Sequence, residues 1–129
     1  MTRDVAVIGG GTMGVGIAYV TAMAGGLVTV VEPDDARGAT FSKVVAETVQ
    51  SSIKRGKLDD AGGQALVERI TRIGNVDEIP EGLDVAIETV PERLELKLNI
   101  LSRIAARRPK MIGSNTSAMS IDRLAEALP

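Results

Sequence analysis

Gly9, Gly11 and Gly14 stand at the spacing Gly-x-Gly-x-x-Gly in the stretch VAVIGGGTMGVG over 5–16, and Glu32 closes a later apolar run. Residues without side chains at that spacing suit a chain that turns sharply out of a strand, brings bare backbone up to a ligand and starts a helix pressed close on the strand. The ligand such a turn accepts is a pyrophosphate, which meets the unpaired N–H groups and the positive dipole end of the helix. A carboxylate at the end of the next strand accepts hydrogen bonds from adenosine ribose hydroxyls and repels a 2′-phosphate. Together these features predict binding of NAD rather than NADP, since no arginine immediately after Glu32 reverses the preference. FAD, which can use the same turn, is the competing ligand. Gly9, Gly11, Thr12, Met13, Gly14 and Glu32 are the candidate cofactor-binding residues of this region. Gly10 is expected to follow the same tight path, and Gly16, already inside the helix, suggests close backbone packing.

A second polar set follows apolar runs further along: Ile87-Glu88-Thr89-Val90-Pro91-Glu92, then Lys97, then Ser114-Asn115-Thr116-Ser117. The Ser117 hydroxyl suits a hydrogen bond to a substrate oxygen, and Glu92 and Lys97 could face a polar ligand. Each also has a plainer role. Glu92 favours a helix N-terminus, Lys97 suits a solvated face, and the Ser/Thr/Asn run suits turns and a cap. The residues by themselves leave both roles open.

The elements that must position these groups alternate between strand and helix. Val5 to Ile8 is a continuous apolar run, the pattern of a strand buried on both faces. From Thr12 the period becomes helical, with Met13, Ile17, Val20 and Ala24 as the expected buried stripe and Gly25-Gly26 as the stop. A second strand over 27–31 ends at Glu32-Pro33-Asp34-Asp35, where Asp34 or Asp35 can cap a helix that runs to Lys54 on the stripe Phe41, Val45, Val49 and Ile53. A short helix over 59–69 and a third strand over 70–73 follow, then a polar loop over 74–82 and a fourth strand over 83–90. Pro91 is expected to open the next helix, with Leu94, Leu98, Leu101 and Ala105 buried, before a fifth strand at 111–113 and a last helix over 121–128. Connections too long for hairpins imply an α/β fold: a doubly wound, mainly parallel sheet with helices on both faces.

At 129 residues the chain reads as one domain that can bury a core without crosslinks. A net charge of -2 supplies no basic field for nucleic acid, and no apolar run reaches the length of a membrane span. The start of the chain lacks the pattern of a signal peptide, and a cytoplasmic location is the expectation. Without cysteine there is neither disulfide nor thiolate chemistry, and without histidine there is no imidazole base; no metal site is expected.

The pieces VAVIGGGTMGVGIA, VTVVEPD, DVAIETVPERLELK and IGSNTSAMSI, in this order, resemble the amino-terminal NAD-binding domain of the L-3-hydroxyacyl-CoA dehydrogenase family, over nearly the whole chain. The resemblance implies a Rossmann-type fold and an oxidoreductase that interconverts a 3-hydroxyacyl-CoA and its 3-oxoacyl-CoA with NAD, in fatty acid metabolism. It places Glu32 on the ribose-binding acid, usually aspartate in the family, and Thr89, Glu92 and Lys97 along the cofactor. Ser117 falls on the serine that contacts the substrate's 3-oxygen, and Asn115 on the residue that shapes the nicotinamide side, so these two are the candidate catalytic residues. The family continues into a strand with a catalytic histidine and a helical domain that closes the cleft and makes a homodimer. The chain therefore reads as a truncated piece, able alone to bind cofactor but not to catalyse, with an acyl-CoA thioester as the expected small-molecule partner of the parent enzyme. Relatives acting on non-CoA hydroxy acids, of the L-gulonate or carnitine type, share the glycine turn and the SNTS-type segment. A non-catalytic crystallin-like module is the alternative from a different class, against which the intact Gly9, Gly11, Gly14, Glu32 and Ser117 set argues.

Overall fold

The computed structural model describes residues 3–114; Asn115, Ser117 and the helix expected over 121–128 lie outside the described residues. Strand β1 (Asp4–Ile8) leads through the glycine turn into α1 (Thr12–Met23), then β2 (Leu27–Val31), α2 (Asp35–Lys54), α3 (Asp60–Glu68) and β3 (Ile70–Ile73). A 3-10 turn (Val76–Glu78), β4 (Val85–Glu88), α4 (Leu94–Ala106) and β5 (Met111–Ser114) complete the order. The five strands pair in parallel in the order β3-β2-β1-β4-β5. This is the doubly wound parallel sheet expected from the alternation of periods, of the Rossmann type that the resemblance implies.

Register brings the strand ends into one row. Ile8 lies opposite Val31 on one side and Glu88 on the other, and Glu88 lies opposite Ser114. The chain steps outward from β1 to β2 to β3 and then returns to β4 on the other flank of β1. The strand order reverses there, and the connections on either side part to leave a crevice above the β1 and β4 ends.

Alternation along β1 divides the core. Val5 and Val7 face Ala18, Ala22, Phe41, Val45, Val49 and Leu66, while Ala6 and Ile8 face Val76, Ile79, Ile100, Leu101 and Ile104. The stripe predicted for α2 is the observed one: Phe41, Val45 and Val49 are buried, Ile53 packs at the edge, and Asp34 caps the helix by accepting from the Arg37 N–H at 2.8 Å.

Two predicted faces are corrected. In α1 the buried residues are Gly14, Ala18 and Ala22, whereas Met13 and Val20 face outward at 53% and 67% exposure. A helix laid this close on its strand has room for hydrogens and methyl groups only, so the small residues take the inner side. In α4 the buried residues are Lys97, Ile100, Leu101 and Ile104, and of the expected stripe only Leu101 is among them. Helix α4 also begins at Leu94, not at Pro91, with Arg93 as its N-cap. The Val90 carbonyl, which would open a helix starting at Pro91, instead accepts from the Lys97 ammonium at 3.1 Å. Strand β4 is correspondingly shorter than expected, and the polar loop over 74–82 buries Val76 and Ile79 beneath α4.

Candidate functional site

The glycine turn is built by three contacts that sequence spacing only implied. Gly9 has φ +114°, a conformation L side chains rarely adopt, and a Cβ there would lie 2.6 Å from Thr89 Oγ1. A Cβ at Gly14 would overlap the Gly9 carbonyl, so the first turn of α1 can sit on the turn only because residue 14 has none. Gly11 is the N-cap of α1 and a Cβ there would meet no protein atom within 4 Å, which leaves its backbone bare to the cavity it lines. The Val15 N–H returns to the Gly11 carbonyl, so helix geometry leaves the N–H groups of Thr12, Met13 and Gly14 without an intrahelical partner. Thr12 and Met13 are themselves exposed.

The turn is anchored on both flanks. The Gly9 N–H donates to the Val31 carbonyl at 2.8 Å, and the Thr89 N–H and hydroxyl both donate to the Ile8 carbonyl at 2.9 Å. Glu32 completes the frame. It is 4% exposed, and its Oε1 accepts from the Gly10 N–H at 3.1 Å while its Oε2 accepts from the Asp34 N–H at 3.1 Å. The acid at the end of β2 is thus also a brace between the glycine turn and the start of α2. Gly10 is buried against it, where a Cβ would come within 3.1 Å of the Glu32 side chain. Gly16 has no such reason: a Cβ there would meet nothing within 4 Å, and the close packing expected for it is absent.

These groups open on a cavity of about 700 Å³ lined by Gly9, Gly10, Gly11, Glu32, Arg37 and Thr89 and, further along, by Asn75, Val76, Val90, Leu96 and Ile100. An apolar slot beside the glycine turn and a helix N-terminus suits a nucleotide with a flat base and a charged linker. Arg37, Asn75, Val76, Leu96 and Ile100 carry no pattern in the sequence that marks them as a wall; only the fold brings them together.

Glu92 and Lys97 do not line that cavity. Lys97 is fully buried, with its Nζ 2.6 Å from Glu88 Oε2 and 3.2 Å from Glu92 Oε1. Glu88, also fully buried, accepts further from the Val90 N–H at 2.7 Å and from the Ser114 hydroxyl at 2.5 Å. One carboxylate therefore joins the ends of β4 and β5 to the first turns of α4. Sequence reasoning did not assign Glu88; the available signal was a lone acid ending the apolar run Val85-Ala86-Ile87.

The fold and this crevice define a dinucleotide-binding domain of the dehydrogenase type. The chain belongs to the family of the 3-hydroxyacyl-CoA dehydrogenase NAD binding domain, whose model matches residues 4–129. It is 34% identical to the (S)-3-hydroxybutyryl-CoA dehydrogenase of Ralstonia eutropha, with a TM-score of 0.89 over 98% of this chain and 45% of that one. Against the 3-hydroxybutyryl-CoA dehydrogenase of Escherichia coli K12 the identity is 28% and the TM-score 0.90, over 98% of this chain and 27% of that one. The mitochondrial hydroxyacyl-coenzyme A dehydrogenase of Sus scrofa is 29% identical over 98% of this chain and 43% of its own length. The chain thus spans less than half of the relatives it matches. Among the described residues, no helix is long and apolar enough to cross a membrane.

Proposed function

We propose that this chain is the NAD-holding part of a dehydrogenase that interconverts a 3-hydroxyacyl-CoA and the corresponding 3-oxoacyl-CoA, with an acyl-CoA thioester as its small-molecule substrate. The observation that carries the reading is the cradle at the β1–β4 switch point: a bare Gly11 N-cap, unpartnered first-turn amides of α1, and an acid beside them, in a chain of this family. Gly9 and Gly14 shape the cradle, and Gly11, Thr12 and Met13 offer backbone to the pyrophosphate. Glu32 faces the adenosine ribose, and Thr89 holds the turn at the cavity wall. Bound NAD supplies the hydride acceptor for oxidation of the hydroxyl carbon.

Lys97 and Glu92 act on the site from behind the wall, through Glu88 and the Val90 carbonyl. Asn115 and Ser117 come after Ser114 in the sequence, and we assign Ser117 to the substrate's 3-oxygen and Asn115 to the nicotinamide side. The 129 residues supply an NAD-binding domain, and none of them is a histidine.

Titrating NADH into the chain and following the cofactor's fluorescence tests the first half of the reading. Saturable binding is expected, and Gly11→Val, which places a branched side chain in the cradle, should abolish it. The second half is tested by offering 3-hydroxyacyl-CoA thioesters and NAD to the full-length protein; failure to oxidise any of them would sink the substrate assignment while leaving the cofactor assignment standing.

A further inference from the structure

The cavity wall beyond Glu32 carries a cation that NAD recognition leaves without a task. Arg37 lines the cavity with 70% of its side chain exposed, and its Nε lies 3.5 Å from Glu32 Oε2 and 3.8 Å from Asp34 Oδ2. Glu32 is its opposite in every respect, with a side chain only 6% exposed and each carboxylate oxygen tied to a backbone N–H. The carboxylate is fixed, and the guanidinium is paired with it from the solvent side, where another anion can take the carboxylate's place once that charge is removed. Nearby, Arg72 donates to the Glu32 carbonyl at 2.9 Å and to Asp35 at 3.2 Å, so the other cation of this turn is already bound to the frame.

A guanidinium suits a phosphate as well as a carboxylate, and an arginine near the end of the second strand is the usual means of accommodating a 2′-phosphate. We propose that Glu32 and Arg37 form one cofactor-discriminating pair, in which Glu32 excludes a 2′-phosphate both by its own charge and by engaging the guanidinium that would otherwise receive it. Arg37 is thereby a specificity-determining residue whose phosphate-binding capacity is masked by its neighbour. The inference rests on the dinucleotide-binding reading given above.

The test is a set of equilibrium titrations of NADH and NADPH into the wild-type chain, Glu32→Gln, Glu32→Ser, and each combined with Arg37→Ala. Comparing the two dinucleotides within each variant cancels any general loosening of the glycine turn. The wild type should prefer NADH. Removing the charge at residue 32 should move the NADPH-to-NADH affinity ratio toward NADPH by about tenfold or more, with a steep salt dependence. Adding Arg37→Ala should abolish that gain and flatten the salt dependence. An unchanged ratio in both Glu32 variants, or a gain equally large without Arg37, overturns the inference while leaving NADH binding intact. A wild-type chain that binds neither dinucleotide overturns the NAD reading itself, and this inference with it.

Discussion

The two flanks of the crevice manage polar groups in opposite ways. On the β1–α1 flank the chain withholds partners: the first turn of α1 has no side-chain cap, and its N-cap Gly11 leaves bare backbone at the cavity. On the β4–α4 flank it supplies them in full, with Glu88 and Lys97 wholly buried and their charges met by each other, by Glu92, by Ser114 and by the Val90 backbone. Unsatisfied donors are tolerable where water or a ligand can reach them and costly where neither can. The difference teaches that the charged residues near a site divide by burial into those that receive the ligand and those that hold the receiver in shape.

Substitutions can break this contrast, and the largest effect is expected on the closed flank. Lys97→Met leaves the Glu88 carboxylate buried without its cation and should cost about 3–5 kcal/mol of folding stability, measured by urea unfolding. Combining it with Glu88→Gln should recover part of the loss, because no uncompensated charge then remains; an equal or larger loss in the double variant would refute the ion-pair account. On the open flank, Gly14→Ala drives a methyl into the Gly9 carbonyl. It should cost about 1–3 kcal/mol and remove NADH binding altogether, so binding responds more sharply than stability.

Thr89→Val tests the tie between the flanks. It deletes the hydroxyl that reaches the Ile8 and Gly9 carbonyls and should cost about 1 kcal/mol, with NADH affinity falling several-fold in the same titration. The smallest effect has the opposite sign. Gly16→Ala fills open space on the outside of α1, and thermal unfolding should show a gain of about 0.5–1 kcal/mol with NADH affinity unchanged. Loss of stability there would mean that Gly16 has a packing role after all.

The open flank was legible in the sequence because its chemistry is written in absences. Gly9, Gly11 and Gly14 follow an apolar run at fixed spacing, and at Gly9 and Gly14 a side chain would collide with the turn itself. The closed flank was harder, because a buried lysine and a solvated one look alike in sequence, and Lys97 is distinguished only by the Glu88 carboxylate, nine residues earlier at the end of another element, which periodicity within α4 does not reveal. The α1 face was misjudged for a related reason. Periodicity weighs side chains by hydrophobicity, so Met13 and Val20 outrank Gly14, Ala18 and Ala22, yet the distance between helix and strand admits only the smaller set. The number of strands, their order of appearance and the α2 stripe required no such knowledge of distance and were read correctly, although β4 is shorter than the expected 83–90.

The strand order has a consequence for how the site comes into being. Strand β1 meets β2 across one short helix, a closure of low entropic cost, but its pairing with β4 joins Val5 to Val85 and Ile8 to Glu88, far apart along the chain. The crevice lies on that distant seam, so the local β1–α1–β2 unit can assemble with half a binding site and no second wall. Pairing of remote strands is the slow step in folding such sheets. A cofactor that needs both walls therefore cannot guide the chain toward this seam; it can only slow the reopening of one already closed.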